Sequence, residues 1–133
     1  MLRKIKIAAF LAVIMLAGLR DGVSQVIKRD VIDPNEAVVC LIDFRVDLVM
    51  GRTEADIGQG KYCKYAMDKK KFLSMLSPRP ASEFYMDNNV RAKVIVSPSS
   101  SYFIDYNGVV RFEEKKFKIN KKDFMNAIKK LRD

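Results

Sequence analysis

The sequence contains no histidine among its 133 residues. Without an imidazole the chain cannot build a Ser-His or Cys-His catalytic pair, nor a metal site that depends on histidine ligands. It also has no phosphate-binding loop, dinucleotide fingerprint or calcium loop. The serine run at residues 99–101 lacks the Gly-x-Ser-x-Gly pattern of a nucleophile elbow. We therefore expect no enzymatic activity, no catalytic residue, and neither a metal nor another cofactor.

The sequence also has no apolar run long enough to span a membrane. Its main apolar segment, residues 7–18, falls short of the roughly 20 residues that a spanning helix requires. Positive charges precede this segment, and the small residues Gly22 and Ser24 follow it. This order is typical of a secretory signal peptide. We expect residues 1–24 to be a signal peptide, residues 25–133 to form a single domain, and the mature protein to be periplasmic or secreted without a transmembrane anchor.

Cysteine is scarce, since only Cys40 and Cys63 are present. In an oxidising compartment an even pair of cysteines is usually a disulfide. A bond that closes a loop of this length contributes roughly 3 kcal/mol to stability. The sequence predicts a Cys40–Cys63 disulfide and leaves two buried free thiols as the alternative. A metal-binding or catalytic cysteine is disfavoured because the chain has no histidine.

The most explicit local pattern lies near the C-terminus. Residues 102–106 and 109–112 are rich in β-formers and are separated by Asn107-Gly108, a pair that favours a two-residue hairpin turn. Such a turn predicts that Tyr106 lies opposite Val109 and that Ile104 lies opposite Arg111. Asp105, just before the turn, is expected to accept hydrogen bonds from nearby backbone N–H groups.

A capped amphipathic helix is predicted after this hairpin. Asn120 is a suitable N-cap, and apolar residues recur at helical spacing from Phe124 to Leu131. The same pattern occurs upstream, where residues 64–76 align with residues 116–128 and Asp68 takes the place of Asn120. Duplication and independent selection of good capping chemistry explain this match equally well.

Residues 33–50 fit two secondary structures. Asp33-Pro34-Asn35-Glu36 resembles a helix start, with a capping aspartate, proline at the first position and a glutamate that reaches back. Gly51 is a suitable helix end. The alternative is a strand, because apolar residues alternate with charged ones from Val38 to Met50 and many of them are β-branched. We predict the helix and leave the strand open.

These elements predict a two-layer α+β domain. We expect an antiparallel β-meander of about four strands packed by an N-terminal helix, a short middle helix and a C-terminal helix. The expected strands are residues 83–86, 90–96, 102–106 and 109–112, and in the second of these Arg91 and Lys93 face away from the apolar side. This element order over residues 33–131 is similar to the cystatin-like and nuclear-transport-factor-like exported domains. That resemblance implies a fold shared by enzymes, inhibitors and immunity proteins.

Candidate binding residues fall into an acidic and a basic group. On the predicted first helix Asp43 and Asp47 share one face, which suits a carboxylate pair, and Arg45 lies in the apolar arc, which suits an anionic ligand. A solvated helix face and a neighbouring ion pair explain them as well. Lysine clusters suit acidic polymers or lipid head groups, or are simply solvated surface. The candidate lysines are Lys69, Lys70, Lys71, Lys121 and Lys122.

The distribution of charge along the chain decides which functional hypothesis we place first. The formal net charge is +9, but residues 25–60 are acidic while the two capped helices are basic. We expect a small exported non-enzymatic binding protein, of inhibitor or immunity type, that acts on another envelope protein. The alternatives are a basic module on anionic envelope polymer or lipid head groups, and a small ligand carrier or hydrolase with a helix-lined pocket. No nucleic-acid-binding signature is present, so nucleic acid is not an expected partner.

Overall fold

The computed structural model describes residues 33–131. The predicted signal peptide, residues 1–24, lies outside the described residues, and so does the segment that leads into the domain. No helix within the described part is long and apolar enough to cross a membrane.

The strands are β1 (Glu36–Leu41), β2 (Tyr65–Asp68), β3 (Val90–Ser97), β4 (Ser100–Asp105), β5 (Val109–Phe112), β6 (Lys115–Lys118) and β7 (Lys129–Lys130). The helices are α1 (Glu54–Ile57), α2 (Lys69–Met75) and α3 (Lys121–Ala127), with a 3-10 turn at Gly60–Tyr62.

The seven strands form one antiparallel sheet in the order β6-β5-β4-β3-β1-β2-β7. The predicted four-strand meander packed by three helices is therefore wrong. Strands β3 to β6 do follow one another as neighbours, but β1, β2 and β7 extend the sheet on the other side of β3. Residues 83–86, predicted as a strand, form none.

The predicted N-terminal helix is also wrong, because residues 36–41 form a central strand. β1 lies between β2 and β3 and is buried on both faces. A strand in that position reads as a continuous apolar run, which periodicity alone cannot distinguish from a buried helix. The expected capping residues build a turn instead, in which the N–H of Glu36 donates to the carbonyl of Asp33 at 2.8 Å. The resemblance to cystatin-like and nuclear-transport-factor-like domains fails with that helix.

The sheet buries apolar side chains on both of its faces. On the inner face Val39 and Val94 pack against α2 and α3, which contribute Phe72 and Phe124. On the outer face Val38 and Val90 pack against α1, which contributes Ile57, and against Tyr85 from the segment before β3. The Cys40–Cys63 disulfide lies in this outer cluster, so the predicted bond is confirmed. It ties β1 to the 3-10 turn.

The two capped helices are confirmed. The Asp68 carboxylate accepts the N–H of Lys71 at 2.8 Å, and the Asn120 side chain accepts the N–H of Asp123 at 3.0 Å. Each helix follows a strand, so the two matching sequence segments are two strand–helix units. Helix α3 ends at Ala127, earlier than predicted, because Lys129 and Lys130 pair with β2.

The sheet cannot be flat, because a short segment joins its two edge strands, β6 and β7. A flat sheet with strands about 4.8 Å apart separates its edges β6 and β7 by roughly 29 Å. The chain between them is mostly the seven-residue helix α3, which is about 10 Å long.

Residues 77–81 cover the outer edge of β6, where Ser77 N–H donates to the Lys118 carbonyl at 2.9 Å and Ala81 N–H to the Lys116 carbonyl at 2.9 Å.

The β4–β5 hairpin is present, but its predicted register is wrong by one residue. Ile104 pairs with Val110, so the turn has three residues rather than two. Gly108 adopts φ +82° while Asn107 does not enter the positive-φ region, as in a three-residue loop that ends with a left-handed glycine. The buried Asp105 carboxylate stabilises this loop, since it accepts the N–H of Asn107 and of Val109 at 2.9 Å each. The predicted role of Asp105 is confirmed.

The pairing registers define two ends of the sheet. Strands β1, β4 and β6 finish at the end that we call the loop end, whereas β2, β3 and β5 finish at the opposite end. At the loop end the paired residues are Leu41 with Ala92, Asp105 with Val90, and Lys118 with Val109. At the opposite end they are Glu36 with Asp68, Ser97 with Ser100, and Phe112 with Lys115. The candidate functional site lies at the loop end.

Candidate functional site

Arg91 is the buried cation on which the loop end is built. Only 2% of the surface of Arg91 is exposed. One terminal nitrogen, Nη1, donates to the carbonyl of Asp43 at 2.7 Å and to the carbonyl of Val46 at 2.6 Å. The guanidinium also lies 4.9 Å from the ring centroid of Tyr106. The sequence predicts that Val90 and Ala92 share one face of β3 and that Arg91 faces the other. That simple alternation is wrong, because β3 has an irregularity between Val90 and Ala92, and these two residues pack into different core clusters.

The segment above Arg91, residues 43–51, is what we call the presented loop. Arg91 fixes its first half through two carbonyl groups. Its second half ends at Gly51, whose backbone packs closely against that of Asn88. A Cβ added at Gly51 would lie only 2.0 Å from the carbonyl oxygen of Asn88. The next residue is also fixed, because Val90 N–H donates to the carbonyl of Arg52 at 2.7 Å. The loop is therefore held at both ends.

The tip of the presented loop exposes apolar side chains. Val49 is 106% exposed and Met50 is 73% exposed, with Val46 at 47%. These three side chains belong to neither core cluster, so they contribute almost nothing to the stability of the described fold. Asp47, a predicted binding residue, is exposed beside them.

A groove of about 560 Å³ runs between the presented loop and helix α3. It brings together four candidate residues that the sequence had assigned to two separate helices. Phe44 and Met125 supply its apolar surface. The complete lining is Asp43, Phe44, Arg45, Lys121, Lys122, Met125 and Asn126.

The positive charges of the groove differ in how firmly they are held. Lys121 is half-buried, and its Nζ donates to the Tyr106 carbonyl at 3.0 Å. The same Nζ lies 5.8 Å from the ring centroid of Phe44 and 4.9 Å from that of Tyr106. Lys122 is exposed. The groove therefore has one fixed ammonium group and one that is free to adjust.

Asp43 and Arg45 form an ion pair at the rim of the groove. Arg45 donates from Nη2 to Asp43 Oδ2 at 2.7 Å and from Nε to Oδ1 at 3.0 Å. These side-chain bonds, and the backbone N–H of Arg45, lower the pKa of Asp43 to about 2. Asp43 is therefore charged at neutral pH. The Arg45 side chain remains 86% exposed.

The other predicted residues do not join this groove. The helical face that was expected to align Asp43 with Asp47 is absent, because residues 42–51 form an irregular loop. Lys69, Lys70 and Lys71 begin α2 at the opposite end of the sheet, beside the paired Glu36 and Asp68. Among the described residues, no group of three or more histidine, cysteine or carboxylate side chains is placed to hold a metal ion.

A second polar cluster lies on the outer face. Glu54 of α1 accepts Arg111 Nε at 2.6 Å, Arg111 Nη2 at 2.7 Å and the Tyr85 hydroxyl at 2.8 Å. Partial burial opposes ionisation of Glu54, but these donors outweigh it and lower its pKa. Burial and the Glu54 carboxylate raise the pKa of Tyr85. The cluster joins α1 to β5 and to the segment before β3, so it acts as a structural clamp.

The sequence did not indicate that Arg91 and Gly51 hold the presented loop, or that Glu54 forms a cluster with Arg111 and Tyr85. The residues of each contact lie far apart in the chain, so no local pattern marks them. One signal was available for the presented loop: the uninterrupted apolar run of residues 37–42 ends where Asp43, Arg45 and Asp47 begin. No protein-family model, no curated protein sequence and no solved structure matches this chain. Function is therefore inferred from the loop and the groove themselves.

Proposed function

We propose that this chain is a small exported binding protein, of inhibitor or immunity type, that presents residues 43–51 to another envelope protein. One observation carries the proposal: the loop is fixed at both ends, by Arg91 and at Gly51, while Val49 and Met50 at its tip are exposed. A loop that is already ordered loses little conformational freedom on binding. Exposed neighbouring apolar side chains on a small protein commonly mark an interaction site.

Export is supported by two features. The N-terminal sequence has the charge and apolar order of a signal peptide. The Cys40–Cys63 disulfide suits an oxidising compartment, because such bonds are rare in reducing ones.

A protein partner is favoured over an anionic polymer by the apolar tip of the presented loop. Lys121 and Lys122 lie at the loop end, whereas Lys69 to Lys71 lie at the opposite end. Strand β6 carries Lys115, Lys116 and Lys118 from one end to the other, so the lysine positions do not separate the two kinds of partner. The exposed apolar side chains of Val49 and Met50 do, because an acidic polymer offers them no apolar surface. The alternative of a ligand carrier or hydrolase receives less support, since residues 42–51 are not helical and do not align Asp43 with Asp47 on one helical face.

The test is capture of a partner from envelope extract with the mature protein and two variants. The double variant Val49→Asp/Met50→Asp places charge at the loop tip. Phe84→Asp is the matched control, because Phe84 is also strongly exposed, at 79%, but is not part of the loop. We expect the wild type and the control to capture the same protein and the loop variant to lose it. Equal capture by all three proteins, or no specific capture by the wild type, would overturn the proposal.

A further inference from the structure

We infer that the groove between the presented loop and α3 is a subsite for carboxylate side chains, and that it takes an acidic peptide segment of the partner. This inference rests on the proposed function, because the groove and the loop share residues 43–45. We expect a protein seated on the loop tip to extend over the groove. The two surfaces are then parts of one interface, with an apolar contact at the tip and an ionic contact beside it.

The charges of the groove favour a carboxylate ligand. Arg45, Lys121 and Lys122 oppose one carboxylate, Asp43, so the lining carries a net positive charge. Lys121 is held in place by the Tyr106 carbonyl and by two aromatic rings, so its charge is fixed before a ligand arrives. A fixed charge that needs no rearrangement favours binding.

Arg45 is able to contribute despite its bond to Asp43. Its side chain is 86% exposed. An exposed ion pair of this kind contributes little net stability, because water screens it and two side chains must be ordered to form it. Arg45 can therefore turn toward an incoming carboxylate at small cost. Its planar guanidinium binds a carboxylate through two parallel hydrogen bonds.

The apolar part of the groove favours a side chain with a short aliphatic stem. Phe44 and Met125 line the groove together with the basic groups. Aspartate and glutamate place one or two methylene groups against such a surface while the carboxylate reaches the cations. An acidic peptide therefore matches both the apolar and the charged parts of the lining.

Anionic membranes are a poorer match to the same surface. Asp47 is exposed beside the tip and Asp43 lies at the rim of the groove, and both carboxylates would repel negatively charged head groups. The tip also lacks the tryptophan and phenylalanine side chains that usually anchor proteins at membrane interfaces. Membrane binding is therefore treated as a competing outcome of the experiment.

The test measures binding of a synthetic hexaglutamate peptide to the mature protein by NMR amide shifts. We expect shifts centred on residues 43–45 and 121–126 that disappear at about 1 M salt, where the screening length falls to roughly 3 Å. Hexalysine should cause none. Lys122→Glu should weaken the interaction by up to about fivefold, as expected for a lost exposed ion pair. The matched control Lys70→Glu, at the opposite end of the sheet, should leave it unchanged.

The possible outcomes separate this inference from the proposed function. The loop variant Val49→Asp/Met50→Asp should lose the envelope partner, and this result does not depend on the peptide. If hexaglutamate causes no shifts, or shifts around Lys70 as strong as those around Lys122, the groove is not a carboxylate subsite although the loop can still bind a partner. Binding to phosphatidylglycerol vesicles that requires Lys122 while hexaglutamate fails would overturn the inference in favour of a membrane.

Because Lys121 also contacts the protein itself, the test does not depend on replacing it. Lys122→Glu changes an exposed side chain and should not alter folding. Arg45→Gln, also at an exposed position, provides a second variant with the same expected weakening. If neither variant weakens the peptide shifts, the inference is wrong.

Discussion

Arg91 Nη1 donates to the main-chain carbonyl of Val46 across 2.6 Å, and the arginine that makes this bond is 2% exposed. A charged side chain from the middle of a sheet thus fixes the backbone of a loop whose tip, at Val49 and Met50, is exposed to solvent. Buried charges are costly unless they are hydrogen-bonded. Here the same bonds satisfy Arg91 and order the loop.

Replacing Arg91 should therefore reduce both stability and loop order. Arg91→Met removes the donor from the carbonyls of Asp43 and Val46, and an unsatisfied buried polar group costs about 1–3 kcal/mol. We expect a loss of that size in urea unfolding and faster amide hydrogen exchange in residues 43–47. Arg79→Met, at an exposed position, is the control. If both variants are equally stable and protected, Arg91 does not hold the loop.

The two strand–helix units meet through equivalent phenylalanines. Phe72 and Phe124 are both fully buried, with ring centroids 6.3 Å apart in an edge-to-face arrangement. Each Phe→Ala change should lower the free energy of unfolding by about 3–5 kcal/mol. The double variant should depart from additivity by about 0.5–1.5 kcal/mol, because the two rings are in contact. Phe84→Ala, at 79% exposure, should change stability by less than about 0.5 kcal/mol. Strict additivity would mean that the rings do not interact.

Local chemistry was sufficient to predict these two units. Asp68 and Asn120 cap their helices through bonds to residues three positions along the chain, so the relevant partners are visible in sequence. Phe72 and Phe124 follow each cap at the same spacing and face the core in both units. The disulfide was predictable for a different reason, because the chain offers only one pair of cysteines.

Long-range packing explains what the sequence did not show. β1 lacks a polar face because it is covered on both sides, so its residues carry no alternation to read. The hairpin register depends on the buried carboxylate of Asp105, which also accepts the N–H of Met86 at 2.9 Å from a distant segment. The groove forms because the loop after β1 and the helix after β6 meet at the same end of the sheet, where Asp43 and Lys121 line one groove. Each feature is decided by tertiary contacts that local propensity does not encode.

The disulfide should supply a substantial part of the stability. The double variant Cys40→Ala/Cys63→Ala frees a loop that spans 23 positions in sequence. We expect its free energy of unfolding to fall by roughly 3 kcal/mol in urea, mainly because the unfolded chain gains freedom. The wild type measured after reduction in denaturant should show the same loss. Equal midpoints for wild type and variant would contradict this expectation.

The clamp on the outer face predicts a loss of stability in acid. The folded-state pKa of Glu54 lies below its ordinary value of 4.5, because the hydrogen bonds from Arg111 and Tyr85 outweigh the cost of burial. A group with a lowered folded pKa contributes stability that is present above the unfolded pKa and lost as pH falls through the folded one. Stability should therefore decline below about pH 4.5.

Two variants isolate the contribution of Glu54 to that decline. Glu54→Gln should lower stability at pH 7 and flatten the decrease in acid, since glutamine does not titrate. Glu114→Gln, at an exposed position, is the control and should keep the full decrease. Urea unfolding at a series of pH values between about 3 and 7 measures both. A Glu54→Gln curve that runs parallel to the wild type would show that Glu54 does not stabilise the fold through its charge.

Gly51 offers the sharpest test of whether loop order matters for binding. An alanine Cβ at this position would lie 2.0 Å from the Asn88 carbonyl oxygen, so the backbone must shift. Forced overpacking of this kind typically costs about 1–3 kcal/mol. Gly60→Ala is the matched control, because nothing lies within 4 Å of the added Cβ. We expect Gly51→Ala to lose stability and to bind the envelope partner more weakly, although the exposed side chains of the tip are unchanged. If it binds as tightly as Gly60→Ala, prior ordering of the loop is not what gives the protein its affinity.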